Sequence, residues 1–165
     1  PRRFGFFKIF NNQEELKDYF SKYGPEAISN KFNYNYLKKK LMNKEKNIKN
    51  FLLDQNYVSG IGNIYANEIL FYCRINPLKK VKKITKNQII KLIKNSKLVL
   101  NLAIKLGGSS IRDFKNISGI SGLFQNEFKV YGRENKNCTR KNCKGKICKI
   151  FISNRSTFFC NLCQK

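Results

Sequence analysis

The stretch Cys138-Thr-Arg-Lys-Asn-Cys143, followed after sixteen residues by Cys160-Asn-Leu-Cys163, decides how the C-terminal part of this chain folds. Two close cysteine pairs joined by a hairpin-length spacer can place four thiolates tetrahedrally around Zn2+. The spacer alternates in part and contains a turn cluster at 153–156, which predicts two short strands folded back on each other. A hairpin of this size buries too little apolar surface to fold by itself. Metal binding would therefore supply its folding free energy. The predicted ligands are Cys138, Cys143, Cys160 and Cys163.

The cysteines also allow two other interpretations. Disulfides belong to oxidising compartments, whereas this chain has no visible secretory segment and carries 34 Lys and Arg residues, so we expect an intracellular, cytoplasmic protein with reduced thiols. Cys148, five residues after Cys143, is an alternative ligand, although a small buried strand thiol is its simpler role. Cys73 lies in an apolar helical run, and we expect it to pack in the core.

The charge of the chain indicates a polyanionic partner. The formal net charge is +24, and the basic residues come in blocks, with nine lysines and no acid in 79–105 and eight Lys or Arg against one acid in 129–149. A polyanion would relieve the repulsion between these charges and release its own counterions. A lysine-rich composition bias contributes as well, but it does not explain why so few acids balance the lysines. No apolar run is long enough to span a membrane.

A glycine-hinged turn precedes the most apolar helix of the sequence. Gly60-Ile-Gly62 permits a tight turn, and Asn63 is predicted as the N-cap of the helix that follows. The amide groups at such a helix start, with the helix dipole behind them, can bind a phosphate. The alternative is that the glycines merely let two helices cross closely, and the residues by themselves do not decide between the two.

The sequence also predicts a long helix before Gly107 and a separate origin for residues 1–10. Thr85 and Gln88 predict a capping box at the start of a long amphipathic helix that ends at Gly107-Gly108. The polar segment after those glycines is either a mobile flap over a ligand or a plain connector. Residues 1–10 are apolar enough for a sheet edge but have no partner strands nearby, so we expect them to belong to a domain preceding residue 1.

With these pieces assembled, the chain resembles the C-terminal part of the formamidopyrimidine-DNA glycosylases, bacterial repair enzymes that remove oxidised purines. The resemblance covers essentially all 165 residues. Its motifs are Arg2-Arg3-Phe4-Gly5, Leu53-Asp54-Gln55, Gly60-Ile61-Gly62-Asn63-Ile64-Tyr65-Ala66, Gly107-Gly108-Ser109-Ser110, Val130-Tyr131-Gly132-Arg133 and Arg155-Ser-Thr-Phe-Phe-Cys160-Asn-Leu-Cys163-Gln164. It implies a mainly α fold, a helix–two-turn–helix bundle with a C-terminal zinc-bound β-hairpin, without the family's N-terminal β-sandwich.

The resemblance also implies roles for individual residues. The positions that match residues contacting DNA are Arg2, Phe4, Lys49, Asn63, Tyr131, Lys149 and Arg155. Among them, Arg2 matches the arginine that fills the gap left by an extruded nucleotide and pairs with the orphaned cytosine, and Phe4 matches the aromatic wedge beside it. The others match phosphate contacts or, for Lys49, a lysine near the DNA. The loop that folds over the flipped 8-oxoguanine matches Ser109, Ser110, Ile111, Arg112 and Asp113. We expect Arg155→Ala to weaken DNA binding markedly and Arg140→Ala to cost only a general electrostatic increment.

The implied domains are 1–11, the end of a catalytic domain or linker; 12–132, the helical domain; and 133–165, the zinc finger. The implied partner is duplex DNA with an oxidised base or abasic site, bound by a monomer with one structural Zn2+. Two features depart from the family. The first cysteine pair is Cys-x4-Cys rather than Cys-x2-Cys, and Pro1 is followed by Arg-Arg-Phe rather than closely by a glutamate, so it does not match the catalytic proline. We therefore expect DNA binding without catalysis from these residues.

Two alternative functions remain. The first is the endonuclease VIII-like group, which shares the helical and zinc modules but prefers oxidised pyrimidines; Arg2-Arg3-Phe4 and the loop at 107–110 favour the purine enzymes. The second is a zinc module that binds DNA or RNA without any enzymatic role. Equal affinity for undamaged and abasic-analogue duplexes would favour this second alternative.

Overall fold

The computed structural model describes residues 7–42, 44–109 and 122–165. Within these ranges, helices precede a single hairpin. The α-helices are α1 (Gln13–Ser21), α2 (Tyr34–Leu41), α3 (Ile48–Leu53), α4 (Asn63–Cys73) and α5 (Lys86–Lys105), with 3-10 turns at Val81–Lys83 and Phe124–Glu127; the strands are β1 (Ile147–Ile152) and β2 (Arg155–Cys160). None of the described helices is long and apolar enough to cross a lipid bilayer.

Short polar residues start most of these helices. The side chains of Asn12, Asn33 and Asn47 each accept a hydrogen bond from the backbone N–H three residues later, which satisfies one of the free donors of the first turn. Thr85 and Gln88 form the full reciprocal capping box at the start of α5, as predicted from the sequence.

The main core lies around α4. This helix is buried on nearly every side, because α3, α5 and β2 all pack against it. Large apolar side chains from different elements, among them Phe32, Phe51, Ile69 and Leu92, are almost completely removed from solvent. α4 is therefore the fixed element to which both the other helices and the hairpin are attached.

The hairpin pairs β1 with β2 in antiparallel register, from Ile147 opposite Cys160 to Ile152 opposite Arg155. The two turn residues Ser153 and Asn154 both have positive φ, 47° and 59°, as two-residue hairpin turns require. A second, smaller core joins the hairpin to α4 through Phe71, Val130 and Phe158. The prediction of a mainly helical chain with a two-stranded C-terminal hairpin is confirmed.

Candidate metal centre and nucleic-acid interface

The four predicted cysteine ligands come together at the end of the hairpin opposite its turn. Their sulfur atoms all lie within 4.8 Å of one another. The Sγ atoms of Cys138 and Cys163 are 3.8 Å apart, and those of Cys143 and Cys160 are 3.7 Å apart. A tetrahedral site with Zn–S bonds of about 2.3 Å needs sulfur–sulfur distances of about 3.8 Å. The four thiols therefore fit one tetrahedral metal ion, and zinc is the metal that such a donor set favours.

The two remaining cysteines lie outside this cluster. Cys148 occupies β1, opposite Phe159, and Cys73 is buried near the end of α4. Burial raises the pKa of the Cys73 thiol to about 12, so it stays protonated and acts as a small apolar side chain. All six cysteines are free of disulfide bonds. The predicted packing role of Cys73 is confirmed. Cys148 lies outside the four-thiol cluster but is half-buried, so the expectation of a buried strand thiol is only partly met.

The segment Cys138–Cys143, called the metal knuckle below, attaches the cysteine cluster to α4 through one of its four intervening residues. Arg140, one of the four residues between Cys138 and Cys143, donates through one guanidinium nitrogen to the backbone carbonyls of Phe71 and Tyr72. Its guanidinium carbon lies 4.4 Å from the centre of the Phe71 ring. A cation at the carboxyl end of α4 also complements the negative end of the helix dipole. Arg140 therefore anchors the metal knuckle to α4, a structural role that the sequence did not predict, while its small predicted share in DNA binding stays a prediction.

The other end of α4 meets the turn of the hairpin. The Nδ2 of Asn63 donates to the backbone carbonyl of Ser156 at 3.1 Å. The amine of Lys49 donates to the same carbonyl at 3.0 Å and to the hydroxyl of Thr157 at 2.6 Å. Lys49 and Asn63 thereby hold the start of β2, whose first residue is Arg155. Of these three side chains, only that of Arg155 is exposed to solvent. Three of the predicted DNA contacts thus converge on one place.

This place is electrostatically unusual. Lys49 is completely buried, and its pKa is lowered to about 8, chiefly by burial and secondarily by the positive charge of Arg155. The amino end of α4 adds the positive pole of the helix dipole. Two side-chain cations beside a positive helix end repel one another, so this arrangement does not serve stability on its own. It is suited to a bound anion.

The start of α4 differs in detail from the prediction. Gly62 is the N-cap, it makes no side-chain capping bond, and Asn63 is the first helical residue. The Nδ2 of Asn63 donates to the hairpin, while its Oδ1, the atom that a cap would use, is buried and has no hydrogen-bond partner among the described residues. Gly60, with φ of 85°, provides the positive-φ turn that the two glycines predicted. The first amide groups of α4 therefore have no side-chain cap.

Tyr131 and Lys149 lie together farther along the hairpin. The ring of Tyr131 packs 5.0 Å from that of Phe158, and the Lys149 amine lies 6.0 Å from the same ring. Lys149 is also 3.6 Å from the carboxylate of Glu134. Both residues thus lie over the buried ring of Phe158, three residues after Arg155 in β2.

Sequence reasoning missed two polar residues in the apolar run of α4. The buried carboxylate of Glu68 accepts hydrogen bonds from the backbone N–H groups of Lys129, Val130 and Tyr131, at 2.9, 3.0 and 2.9 Å. Burial raises the pKa of this carboxyl, against the opposing effect of the three donors. Asn67 accepts from the N–H of Phe158 at 2.7 Å, which fixes β2 along the helix. The sequence does carry a signal for Glu68 and Asn67, because polar residues within an apolar, buried helix need hydrogen-bond partners.

A third missed residue lies at the metal end. Gln164 accepts from the N–H of Cys160 at 2.8 Å and donates to the carbonyl of Ile75 at 2.9 Å. It therefore ties the second cysteine pair to the segment after α4. The sequence offered Gln164 only as part of a motif, without a role.

The predicted loop over the lesion is described only at its base. Ser109 forms an isolated antiparallel bridge with Leu123, and Gly107 and Gly108 have positive φ of 70° and 81°. A Cβ at Gly122 would lie 2.2 Å from the Gly108 carbonyl oxygen, so only glycine permits this close approach. The other predicted positions, Arg2, Phe4, Ser110, Ile111, Arg112 and Asp113, lie outside the described residues.

Fold and site together define a class: a helical module whose buried central helix carries a four-thiolate hairpin. The formamidopyrimidine-DNA glycosylase H2TH domain matches residues 23–127. This chain belongs to the formamidopyrimidine-DNA glycosylase family.

Curated relatives agree with this assignment. The formamidopyrimidine-DNA glycosylase of Wolbachia pipientis wMel is 44% identical over 164 residues, which are 99% of this chain and 59% of that protein. The protein of the same name from Haemophilus influenzae (strain 86-028NP) is 45% identical over 165 residues, 100% of this chain and 60% of its own length. The chain thus spans about three fifths of the length of these relatives.

Solved structures show the same fold. The Lactococcus lactis Fpg in complex with abasic-site DNA superposes with a TM-score of 0.85 at 37% identity, covering 93% of this chain and 56% of that one. The MutM (Fpg) protein of Thermus thermophilus gives a TM-score of 0.80 at 31% identity, covering 90% of this chain and 56% of that one.

Proposed function

We propose that these 165 residues are the DNA-binding part of a base excision repair glycosylase and abasic-site lyase that removes oxidised purines such as 8-oxoguanine and formamidopyrimidines. The observation that carries this proposal is the convergence of Lys49, Asn63 and Arg155 at the amino end of α4. The naming of the relatives and the DNA-bound state of the Lactococcus lactis neighbour support it.

A DNA phosphate would remove the repulsion between Lys49, Arg155 and the amino end of α4. Arg155, exposed beside the hairpin turn, can bind a phosphate with two parallel N–H donors. The uncapped amides of α4 can donate to the same or a neighbouring phosphate. Asn63 uses Nδ2 for one hydrogen bond to the hairpin and has a second N–H on that nitrogen to offer. Tyr131 and Lys149 would extend the phosphate track along the hairpin.

The remaining assignments complete this proposal. Arg2 and Phe4 fill the gap left by the extruded nucleotide and thereby offset part of the cost of unstacking, which is a few kcal/mol. The loop Ser109–Asp113 covers the flipped base. One Zn2+ on the four cysteines supplies the free energy that keeps the finger folded. The functional units are 1–11, 12–132 and 133–165, and the protein acts as a monomer.

The covalent chemistry of the parent enzyme lies outside this part. In such an enzyme a secondary amine attacks the sugar C1′, forms a Schiff base and drives elimination of the flanking phosphates. In this chain Pro1 precedes Arg2-Arg3 and has no glutamate close after it. The 165 residues therefore bind damaged DNA and do not cleave it.

Direct binding measurements test the proposal. The 165-residue chain should bind a duplex with a central abasic analogue more tightly than the same undamaged duplex, with a steep loss of affinity as salt increases. Borohydride should trap no covalent adduct on a true abasic site. Equal affinity for damaged and undamaged duplexes would refute lesion binding, a trapped adduct would refute the absence of chemistry, and stronger competition by thymine glycol than by 8-oxoguanine would refute the purine assignment.

A further inference from the structure

A second basic surface lies at the metal end of the molecule. A cavity of about 700 Å3 opens beside the four-cysteine cluster. Its lining contains no acidic side chain and five cationic ones: Arg74, Lys79, Arg140, Lys141 and Lys165. We name this surface the rear cavity.

The cations of the rear cavity are electrostatically uncompensated. The four ion pairs formed among the described residues involve none of the five. The Nε of Arg140 is buried and finds no hydrogen-bond acceptor among the described residues. A divalent ion on four thiolates carries only two net negative charges, so the neighbouring metal centre does not balance five cations. The cavity therefore retains a surplus of positive charge that an external anion would neutralise.

The rear cavity is distinct from the surface at Arg155. The hairpin turn and the cysteines lie at opposite ends of six-residue strands, which span about 20 Å. Along α4, Asn63 at the amino end and Phe71, which accepts from Arg140 near the carboxyl end, are separated by about 12 Å of helix. A single phosphate cannot bridge that distance, but a second stretch of nucleic-acid backbone can occupy the rear cavity while the first lies on the hairpin turn.

We propose that the rear cavity is a second binding site for the phosphate backbone of a nucleic acid. This second site goes beyond the proposed function and depends on it only for the identity of the polyanion, which is a nucleic acid. Two sources share this chemistry: the flank of the same duplex, distant from the lesion, or a separate strand. Arg140 belongs to the anchoring of the metal knuckle, so the exposed cations around it are the groups that contact phosphate.

The test compares two triple variants that remove equal charge. The rear variant is Arg74→Gln, Lys79→Gln and Lys141→Gln; the control is Lys31→Gln, Lys38→Gln and Lys39→Gln, three exposed lysines on and before α2. On a duplex of about 30 base pairs with a central abasic analogue, the rear variant should lose about tenfold in affinity at about 0.1 M salt. The slope of log affinity against log salt should fall by about two to three units more than in the control, since each lost phosphate contact removes about 0.9 units.

Duplex length and stoichiometry distinguish the two sources. A loss that disappears on a duplex of about 10 base pairs, at one duplex per protein, identifies the flank of the same DNA. A wild-type stoichiometry of two duplexes per protein that falls to one in the rear variant identifies a separate strand.

Two outcomes overturn the rear cavity as a site. One is a rear variant that loses no more affinity than the control. The other is a rear variant that loses bound metal or thermal stability while its DNA affinity matches the control, which would show that these cations serve the thiolates. Should the triple variant fail to fold, the single change Lys141→Glu at an exposed side chain repeats the comparison against Lys39→Glu. Failure here leaves Arg155→Ala as a separate test of the proposed function.

Discussion

The two ends of α4 are both fastened to the same hairpin, yet they are built on opposite electrostatic principles. At the carboxyl end, Arg140 lies on the backbone carbonyls of Phe71 and Tyr72, where a cation is attracted by the helix dipole. At the amino end, Lys49 and Arg155 lie beside a positive helix pole and repel each other. At the carboxyl end the contacts of Arg140 are structural, and the phosphate contacts proposed there fall to the exposed cations around it. At the amino end, the cations that hold the hairpin are themselves the proposed anion site.

The largest expected effect comes from removing the metal cluster, on which both ends depend. Cys160→Ser should abolish stoichiometric metal binding, unfold the hairpin and lower DNA affinity on the order of 100-fold, since metal binding and folding of such fingers are coupled. Metal content, circular dichroism and DNA titration measure these three changes. Cys148→Ser, a change in the same strand pair outside the cluster, is the matched control and should leave all three unchanged. A Cys160→Ser protein that keeps its metal and its affinity would contradict the four-cysteine assignment.

The next effect isolates the amino end. Arg155→Ala should weaken binding to an abasic-analogue duplex about 10- to 100-fold, the usual cost of losing a charge-assisted contact. The free energy of unfolding should change by no more than about 0.5 kcal/mol, because the side chain is exposed. Lys39→Ala provides the control for the loss of one charge. If both variants lose affinity equally, Arg155 is only part of the general positive field.

At the carboxyl end of α4, we expect a large effect on stability and a small effect on DNA affinity. Arg140→Ala should lower the free energy of unfolding by about 1–3 kcal/mol, because two helix carbonyls lose their donor and Phe71 loses its cationic partner. The DNA affinity of the folded protein should fall less than about threefold. Chemical denaturation and titration at low temperature separate the two quantities. Unchanged stability with a large loss of affinity would reverse the assignment of the two ends.

The smallest effect is a pH dependence that belongs to Lys49. Its pKa of about 8 in the free protein should rise when a phosphate binds nearby, so binding takes up a proton. DNA affinity should therefore be constant below about pH 7 and fall between about pH 8 and 10. Lys49→Met should remove this fall, and identical pH profiles of the two proteins would refute the linkage.

The same shift makes a statement about stability. Because the folded pKa lies below the unfolded value of 10.5, the unfolded chain binds more protons between about pH 8 and 10.5. The contribution of Lys49 to stability therefore rises with pH through that window, and below it the cost of burying the charge is fully present. DNA affinity and stability should thus change in opposite directions above about pH 8.

Much of the fold was accessible from local sequence pattern. The cysteine spacing predicted the cluster, the cluster at 153–156 predicted the hairpin turn, and Thr85 with Gln88 predicted the start of α5. Each of these depends on residues close in sequence, whose geometry is set by a single strand pair or helical turn. The N-cap at Gly62 instead of Asn63 shows the limit, since the local pattern does not reveal that the Asn63 side chain donates to a carbonyl 93 residues away.

The sequence by itself therefore determined the elements, the four thiol ligands and the excess of positive charge. Only the tertiary structure decided what each charged side chain does. In the sequence, Lys49 and Arg140 are both simply positive charges. In the structure, Lys49 donates to a hydroxyl 108 residues away beside the positive end of α4, whereas Arg140 donates to carbonyls at the negative end of the same helix. Spacing along the chain fixes local geometry, whereas the effect of a charge depends on the dipoles and backbone groups that the fold places beside it.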